Sequence, residues 1–428
     1  MSSPTDSKGL ADTLDIALRD VPFYKRLWHD ATAAVPESTP PIEQWPTWSV
    51  HDLRAAIAAN PPYGDLYQPH ALDDLSYIHS STGTTGKPRI FPVPRMDMAE
   101  MRRFYGETFE RFGIGPGDIV AITSTFGMPR GAWSCLQATE AVGATVVPAS
   151  NGKVTPPEKL FDVIEAVGAT ALQANGSYLV HLAKRAAEFG VDLKKLKVRT
   201  LISNGEAMST ESRRFVEAEW DARVVMNFAS TDLSWVSAEC SHSSARAGEL
   251  GMHVSSCVYA EVLDENQNPV PDGEYGELVI TSWLRPSTPR IRFRTGDRAA
   301  ITNEVCECGD TATRILPIQG RVDEAVRYHG QTIWAAAVED VLGTYFGHPV
   351  DFYMEHRPSP EKGSVLALKL PESLRGAVDA ELEPTLQKRL NVRFTVELMA
   401  DDELIIATGV STGGKAKRVV DHVSGGAK

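Results

Sequence analysis

Short apolar runs alternate with amphipathic stretches from about residue 75 to residue 230. Leu75-Ser76-Tyr77-Ile78 and Asp118 to Thr123 read as strands, and Ala132 to Val142 has helical character. Gly143 to Pro148 reads as a strand, Leu160 to Val167 as a helix, and Ala169 to Ala174 as a short strand after Gly168. Tyr178 to Phe189 is a helix stopped by Gly190, and Val198 to Ile202 is again a strand. This β-α-β-α rhythm predicts parallel sheets covered by helices.

The pattern changes on either side. Many prolines and scattered aromatics mark the first 70 or so residues, with Leu10 to Arg19 as a short helix and Pro36 to Pro46 as an extended connector. Val258 to Leu263 and Gly276 to Thr281 read as strands around a turn-rich insert, Asp264 to Gly273, which predicts a β-rich subdomain. A boundary is expected near 316–325, dividing the chain into residues 1–319 and 320–428. Beyond it, Ala335 to Tyr345 is a helix, and Val365 to Leu370 and Arg393 to Leu398 are strands of a small α+β lobe. The expected fold class is therefore α/β, with a large N-terminal domain and a small C-terminal one.

A length of 428 residues exceeds what one core holds, in keeping with that division. Net charge of -13 argues against nucleic acid as a partner, because phosphates need a basic footprint. Five cysteines, an odd and sparse set, fit a reducing compartment. Neither a signal peptide at the N-terminus nor a membrane-length apolar stretch is visible, so a cytoplasmic protein without membrane attachment is expected.

The densest chemistry lies in Ser80-Ser81-Thr82-Gly83-Thr84-Thr85-Gly86-Lys87-Pro88. Hydroxyls, glycine backbone and one ammonium can together wrap a polyphosphate. A P-loop is excluded, since Ser81 and Pro88 stand where that motif needs Gly and Ser/Thr. The competing reading is a flexible linker.

The order of residues resembles the phosphate loop of the adenylate-forming (ANL) superfamily, and five later segments match that superfamily's motifs in order. Asn204-Gly205-Glu206-Ala207 resembles the segment lying against adenine. Asn227-Phe228-Ala229-Ser230-Thr231-Asp232 resembles the Tyr-Gly-x-Thr-Glu motif. The resemblance implies that Phe228 stacks on adenine and that Thr231 contacts the α-phosphate. Asp232 stands where Glu is common; it implies a carboxylate for Mg²⁺, with the shorter side chain leaving room for a bridging water. Arg294-Thr295-Gly296-Asp297 resembles the ribose-binding motif, in which Asp297 accepts from both hydroxyls. Gly320-Arg321-Val322-Asp323-Glu324 and Gly330 resemble the hinge and the loop lining the acceptor tunnel, with Arg321 on ribose or phosphate. The resemblance thus implies a mobile C-terminal domain. Ser411 to Val419 resembles the Gly-Lys motif, with Lys415 stabilising the acyl carboxylate and α-phosphate during adenylation. Lys87 and the loop hydroxyls would hold the β- and γ-phosphates.

Phe126 to Trp133, Gly143 to Pro148, Ala238-Glu239-Cys240 and Gly251-Met252-His253 point to the phenylacetate-CoA ligase-like branch. Cys306-Glu307-Cys308 is a compact thiol pair that suggests zinc. Related proteins of this branch imply Cys240 and His253 as the remaining ligands, with His242 and Cys257 as alternatives. A closed four-ligand site would be structural.

The implied activity is ATP- and Mg²⁺-dependent activation of a carboxylic acid as acyl-adenylate, with release of pyrophosphate. The acyl group then passes to CoA thiol, with an amine or a carrier-protein thiol as alternative acceptors. A non-catalytic nucleotide-binding protein on the same fold is the other class; the motif lysine and the ribose aspartate argue against it. Phe126, Met128, Trp133, Ala174, Tyr178, Asn204 and Trp235 are the pocket candidates and suggest a flat aromatic or heteroaromatic acid. A homodimer rests on the resemblance alone.

Overall fold

The computed structural model describes residues 7–81, 89–240, 251–321, 325–329, 331–361, 363–412 and 416–423. Lys87 with the other residues of 82–88, His242, Asp323, Gly330 and Lys415 lie outside the described residues. Contacts divide the chain into two units, residues 1–148 with 225–318, and residues 149–224 with 319–428. The segment 149–224 therefore packs with the C-terminal part of the chain.

In the first unit, Ile119–Ile122 and Thr145–Val147 pair in parallel, connected by the helix Gly131–Ala141. Arg223–Ser230 runs antiparallel to Ser234–Ala238, which in turn pairs with Met252–Val254. The expected β-rich subdomain is present. Val258–Leu263, Gly276–Ser282 and Arg290–Ala299 form an antiparallel meander, bulged twice between the last two strands. Apolar side chains are buried on both of its faces, with Leu278, Val279, Ile280 and Ile291 inaccessible to solvent.

The N-terminal region does more than connect. Trp48–Ser49 adds a parallel strand to that meander, with Trp48 opposite Phe293. Trp48 packs its ring edge-on against Phe23 at 4.7 Å and Phe293 at 4.8 Å. Its indole N–H donates to Ile291 O at 2.6 Å. Tyr24 Oη donates to Pro289 O at 2.8 Å and accepts from Ile291 N–H at 3.0 Å. Aromatics that looked scattered along the sequence thus converge on one strand, and buried aromatic N–H and O–H groups find partners there.

In the second unit, Ala171–Ala174 and Thr200–Asn204 pair in parallel, two residues later than the apolar run suggested for the second strand. Helices Pro157–Val167, Gly176–Arg185 and Thr210–Trp220 belong to the same unit. Gly168 takes the left-handed conformation that ends the first of these. Gly190 does the same after the 3₁₀ turn Ala186–Phe189 that prolongs the second. The C-terminal part is an α+β lobe whose sheet order is Thr395–Met399, Gly363–Pro371, Tyr353–Ser359 and Val419–Asp421. Val338 and Leu342 of the helix Ala335–Phe346 pack with Leu366, Leu368 and Leu370 in its core. Among the described residues no helix is long and apolar enough to cross a membrane.

A buried ion pair ties the N-terminal region to the meander. Arg292 meets both Glu261 oxygens at 3.1 Å and donates to Glu43 O and Trp45 O at 3.0 and 2.8 Å. Arg292→Met strands the Glu261 charge and should cost about 3–5 kcal/mol. Glu261→Met in the same chain should recover much of it, as read from denaturant unfolding. A single variant within about 1 kcal/mol of the parent would show the pair to be idle.

Candidate active site

The hairpin Leu75–Ser80/Ile90–Pro94 carries the hydroxyl-rich loop, and the described residues fix its base. Ser81 N–H donates to Arg89 O at 3.0 Å, and Arg89 N–H donates to Ser81 Oγ at 3.2 Å. Arg89 then reaches Asp232 with two parallel bonds, Nη1 to Oδ1 at 3.0 Å and Nη2 to Oδ2 at 3.2 Å. This fork-on-carboxylate geometry is the strong form of an ion pair. Arg285 donates to the Asp232 backbone oxygen. Asp232 therefore faces a guanidinium with both carboxylate oxygens. Sequence reasoning missed Arg89, although it stands two residues after Lys87.

Strand Arg223–Ser230 delivers Asn227 to Ser230 to the turn before Asp232. Phe228, Ala229, Ser230 and Thr231 are half-buried. Asn227 is buried, and neither end of its amide has a partner among the described residues. Asp297 is buried near the end of its strand, and its N–H donates to Thr295 Oγ1 at 3.0 Å.

The same hairpin anchors the aromatic loop. Ser80 N–H donates to Met128 O at 3.0 Å. Phe126 meets Trp133 edge-on at 5.5 Å, and Tyr77 lies 6.2 Å from the same indole. Trp133 Nε1 donates to Gly127 O at 2.8 Å, which sets the ring's orientation. Met128 is half exposed. His79 stacks on Tyr77 at 5.6 Å, and burial, reinforced by the Arg130 charge, lowers its pKa to about 4. His79 is therefore neutral at pH 7. Trp235 has a different setting: it is buried between Tyr105 at 4.6 Å and Phe109 at 5.8 Å, and packing accounts for it.

The second unit holds the other candidates. Ala174 and Asn204 are buried at the ends of adjacent parallel strands, and Gln173 Nε2 donates to Asn204 Oδ1 at 2.6 Å. Gly205 has a positive φ of 90°, which lets the chain turn sharply after the strand. Ala207 is exposed. Glu206 points back into its own unit, where Ser177 N–H donates to Oε1 at 2.6 Å and Ser177 Oγ at 2.5 Å. Ala416 N–H donates to its Oε2 at 3.2 Å. Burial raises the Glu206 pKa against these hydrogen bonds. Tyr178 is buried, with its ring stacked on His181 at 5.8 Å. Arg321 is half-buried.

Cys240, His253, Cys306 and Cys308 form one cluster in the first unit, their ligand atoms all within 4.8 Å of one another. His253 Nε2 lies 3.6 Å from Cys308 Sγ, and its Nδ1 faces Asp310 Oδ2 at 3.5 Å. Arg111 holds that carboxylate at 2.8 Å. The turn Cys306–Asp310 is closed by Gly309 N–H to Cys306 O at 2.8 Å. Cys257 stands apart, hydrogen-bonded to Ser255 Oγ at 3.2 Å.

A family model for AMP-binding enzymes matches residues 11–283. Phenylacetate-coenzyme A ligase of Thermus thermophilus is 26% identical over 326 residues, 75% of this chain and 71% of that protein. The protein of the same description from Escherichia coli is 24% identical over 420 residues, 96% of this chain and 92% of its own. Among solved structures, 2-hydroxyisobutyryl-CoA ligase in the postadenylation state with R3-HIB-AMP superposes with a TM-score of 0.86 at 25% identity. That match covers 99% of this chain and 91% of the other. The same enzyme with 2-HIB-AMP and CoA in the thioesterification state gives 0.70 at 26% identity, covering 98% and 90%. The chain belongs to the AMP-binding family of adenylate-forming (ANL) enzymes, in its phenylacetate-CoA ligase-like branch, and is an acyl-adenylating, AMP-forming ligase.

Proposed function

We propose that the acid is aromatic or heteroaromatic, and that its acyl group passes from the adenylate to the thiol of CoA. The observation that carries this reading is the Ser81–Arg89–Asp232 connection, which fastens the hydroxyl-rich loop to the Thr231-Asp232 turn on the hairpin that also anchors the aromatic loop. The base of the loop proposed to bind phosphate and a set of aromatic faces thus share one support.

In the first half-reaction a carboxylate oxygen attacks the α-phosphorus of ATP, the bond to the β-phosphate oxygen breaks, and pyrophosphate leaves. Such a step needs position and charge stabilisation more than a protein nucleophile. Lys87, Ser81, Thr82, Thr84 and Thr85 would hold the outer phosphates, with Gly83 and Gly86 permitting close backbone approach. Thr231 would meet the α-phosphate and Lys415 the charge that builds there. Of the two neighbouring cations, Arg418 is already engaged, donating to Phe352 O at 3.2 Å with its guanidinium over that ring. Asn204 to Ala207 and Asn227 to Ser230 would border the adenine, Asp297 would take the ribose hydroxyls, and Arg321 ribose or phosphate. Mg²⁺ supplies charge neutralisation on the phosphates when bound. Asp232, its carboxylate already met by Arg89, fits such an ion through water rather than directly. In the second half-reaction the CoA thiolate adds to the acyl carbon and AMP leaves. A division at 319/320 would let residues 320–428 turn as a lid between the two.

Phe126, Trp133, Tyr77 and Met128 offer edges and faces suited to a flat acid. Ala174 and Tyr178 of the second unit remain candidates for the same acid, while Trp235 would support the aromatic set from the core. Neutral His79 keeps that wall uncharged.

Three thiols and an imidazole within one ion's reach are the donor set of a structural zinc site, and Asp310, 3.5 Å from His253 Nδ1, would orient the ring once metal is bound. Zinc at Cys240, His253, Cys306 and Cys308 would pin the strand Met252–Val254 to the Cys306–Asp310 turn.

ATP–pyrophosphate exchange across a panel of aryl acids tests the reading. Exchange should appear with one or more of them, and Lys415→Ala should abolish it while leaving ATP binding mostly intact. Exchange untouched by that change would remove Lys415 from the chemistry. Elemental analysis should find one zinc per chain, lost together with thermal stability in Cys306→Ser/Cys308→Ser; metal-free protein of undiminished stability would refute the site. The unfolded chain protonates histidine near pH 6.5, whereas folded His79 waits until about 4. His79 should therefore cost stability as pH falls through that window, by roughly 1–3 kcal/mol. His79→Gln should flatten the slope of urea midpoints between pH 7 and 5, and an unaltered slope would contradict the assignment.

A further inference from the structure

We infer that Gly152 and Glu206 are positioning residues, a two-point clamp that sets the C-terminal segment for acyl-adenylate formation. The inference rests on the reading that Lys415 serves that half-reaction. All of its contacts lie within the second unit.

The first point is steric. The 3₁₀ turn Val410–Thr412 brings the Ser411 backbone oxygen against Gly152. A Cβ at position 152 would lie 2.7 Å from that oxygen and 2.8 Å from Tyr178 Oη. Neither neighbour is the loose end of a flexible chain: one is backbone, the other a buried ring hydroxyl. Only a residue without Cβ lets the two segments approach so closely.

The second point is a hydrogen bond. Ser177 lies in the first turn of the helix Gly176–Arg185, and its N–H and Oγ both donate to Glu206 Oε1. A carboxylate at a helix N-terminus is held by orphan donors and by the helix dipole. With one oxygen so fixed, the other accepts the Ala416 N–H at 3.2 Å. Ser411 and Ala416 flank the stretch of chain that contains Lys415. Fixing both flanks limits where that lysine's backbone can be. Neither contact involves the lysine's charge, so the clamp acts through position alone.

The two points can be broken separately. Glu206→Gln keeps an oxygen for Ser177 but turns an NH₂ toward the Ala416 N–H, so only the second contact is lost. Gly152→Ala forces Ser411 away and leaves Glu206 intact. In the full chain, hydrogen exchange of the peptide spanning 411–418 should quicken about 10-fold or more in Glu206→Gln, the loss expected for a charged hydrogen bond, and should quicken in Gly152→Ala as well. Pyrophosphate exchange should slow in both variants, while in Gly152→Ala thioester formation from supplied acyl-adenylate and CoA stays within about twofold of the parent, since losing one positioning contact touches one half-reaction. Unchanged amide exchange in both variants would overturn the clamp. Faster amide exchange with adenylation intact, or an equal fall of both half-reactions in Gly152→Ala, would overturn its positioning role. Were the parent to adenylate no acid, the proposed function would fail, yet amide exchange would still decide whether the clamp exists.

Discussion

The pairing of Arg89 with Asp232 is the constraint on which the nucleotide side of the site depends. Both side chains are mostly shielded, at 18% and 12% exposure, so the pair is neither a screened surface bridge nor a fully desolvated one. Its value lies in geometry. Two parallel bonds fix the base of a hydroxyl-rich loop against a turn more than 140 residues away in sequence. The aromatic loop joins the same support through the Ser80 N–H bond to Met128 O. Loosening this pair would let the groups proposed for phosphate and for the acid drift relative to one another, and a misplacement of about 1 Å can cost 100-fold in rate.

Much of this was legible in the sequence. Strands read from apolar runs, such as Asp118 to Thr123 and Val258 to Leu263, match strands at Ile119–Ile122 and Val258–Leu263. The four metal-ligand candidates, far apart in sequence, converge on one point. What escaped was long-range pairing. Nothing local marks Trp48 as the partner of Phe293, because a two-residue strand carries no period. Arg89 and Ser177 are ordinary residues until their partners are known. Asp232 could be read as a metal carboxylate from its motif, but its guanidinium neighbour was invisible. Trp235 reads as pocket wall because an aromatic beside a nucleotide motif fits either role; its burial against Tyr105 and Phe109 is not legible in the sequence.

The second unit shows a different economy. Glu206, read from its motif as lying against adenine, spends its carboxylate on Ser177 and Ala416. Further along, Ser209 and Ser212 donate to Glu339 at 3.1 and 2.7 Å, and Lys184 meets Asp351 at 3.1 Å. Residues 149–224 and the C-terminal lobe therefore meet through polar contacts that can be exchanged for water at modest cost.

The central claim is that the acid is activated by direct attack of its carboxylate on the α-phosphorus. Isotope transfer tests it most directly. With the acid labelled by ¹⁸O in its carboxylate, one turnover in the presence of CoA should leave one labelled oxygen in the phosphate of AMP. Unlabelled AMP, or release of ADP and phosphate in place of AMP and pyrophosphate, would contradict the account.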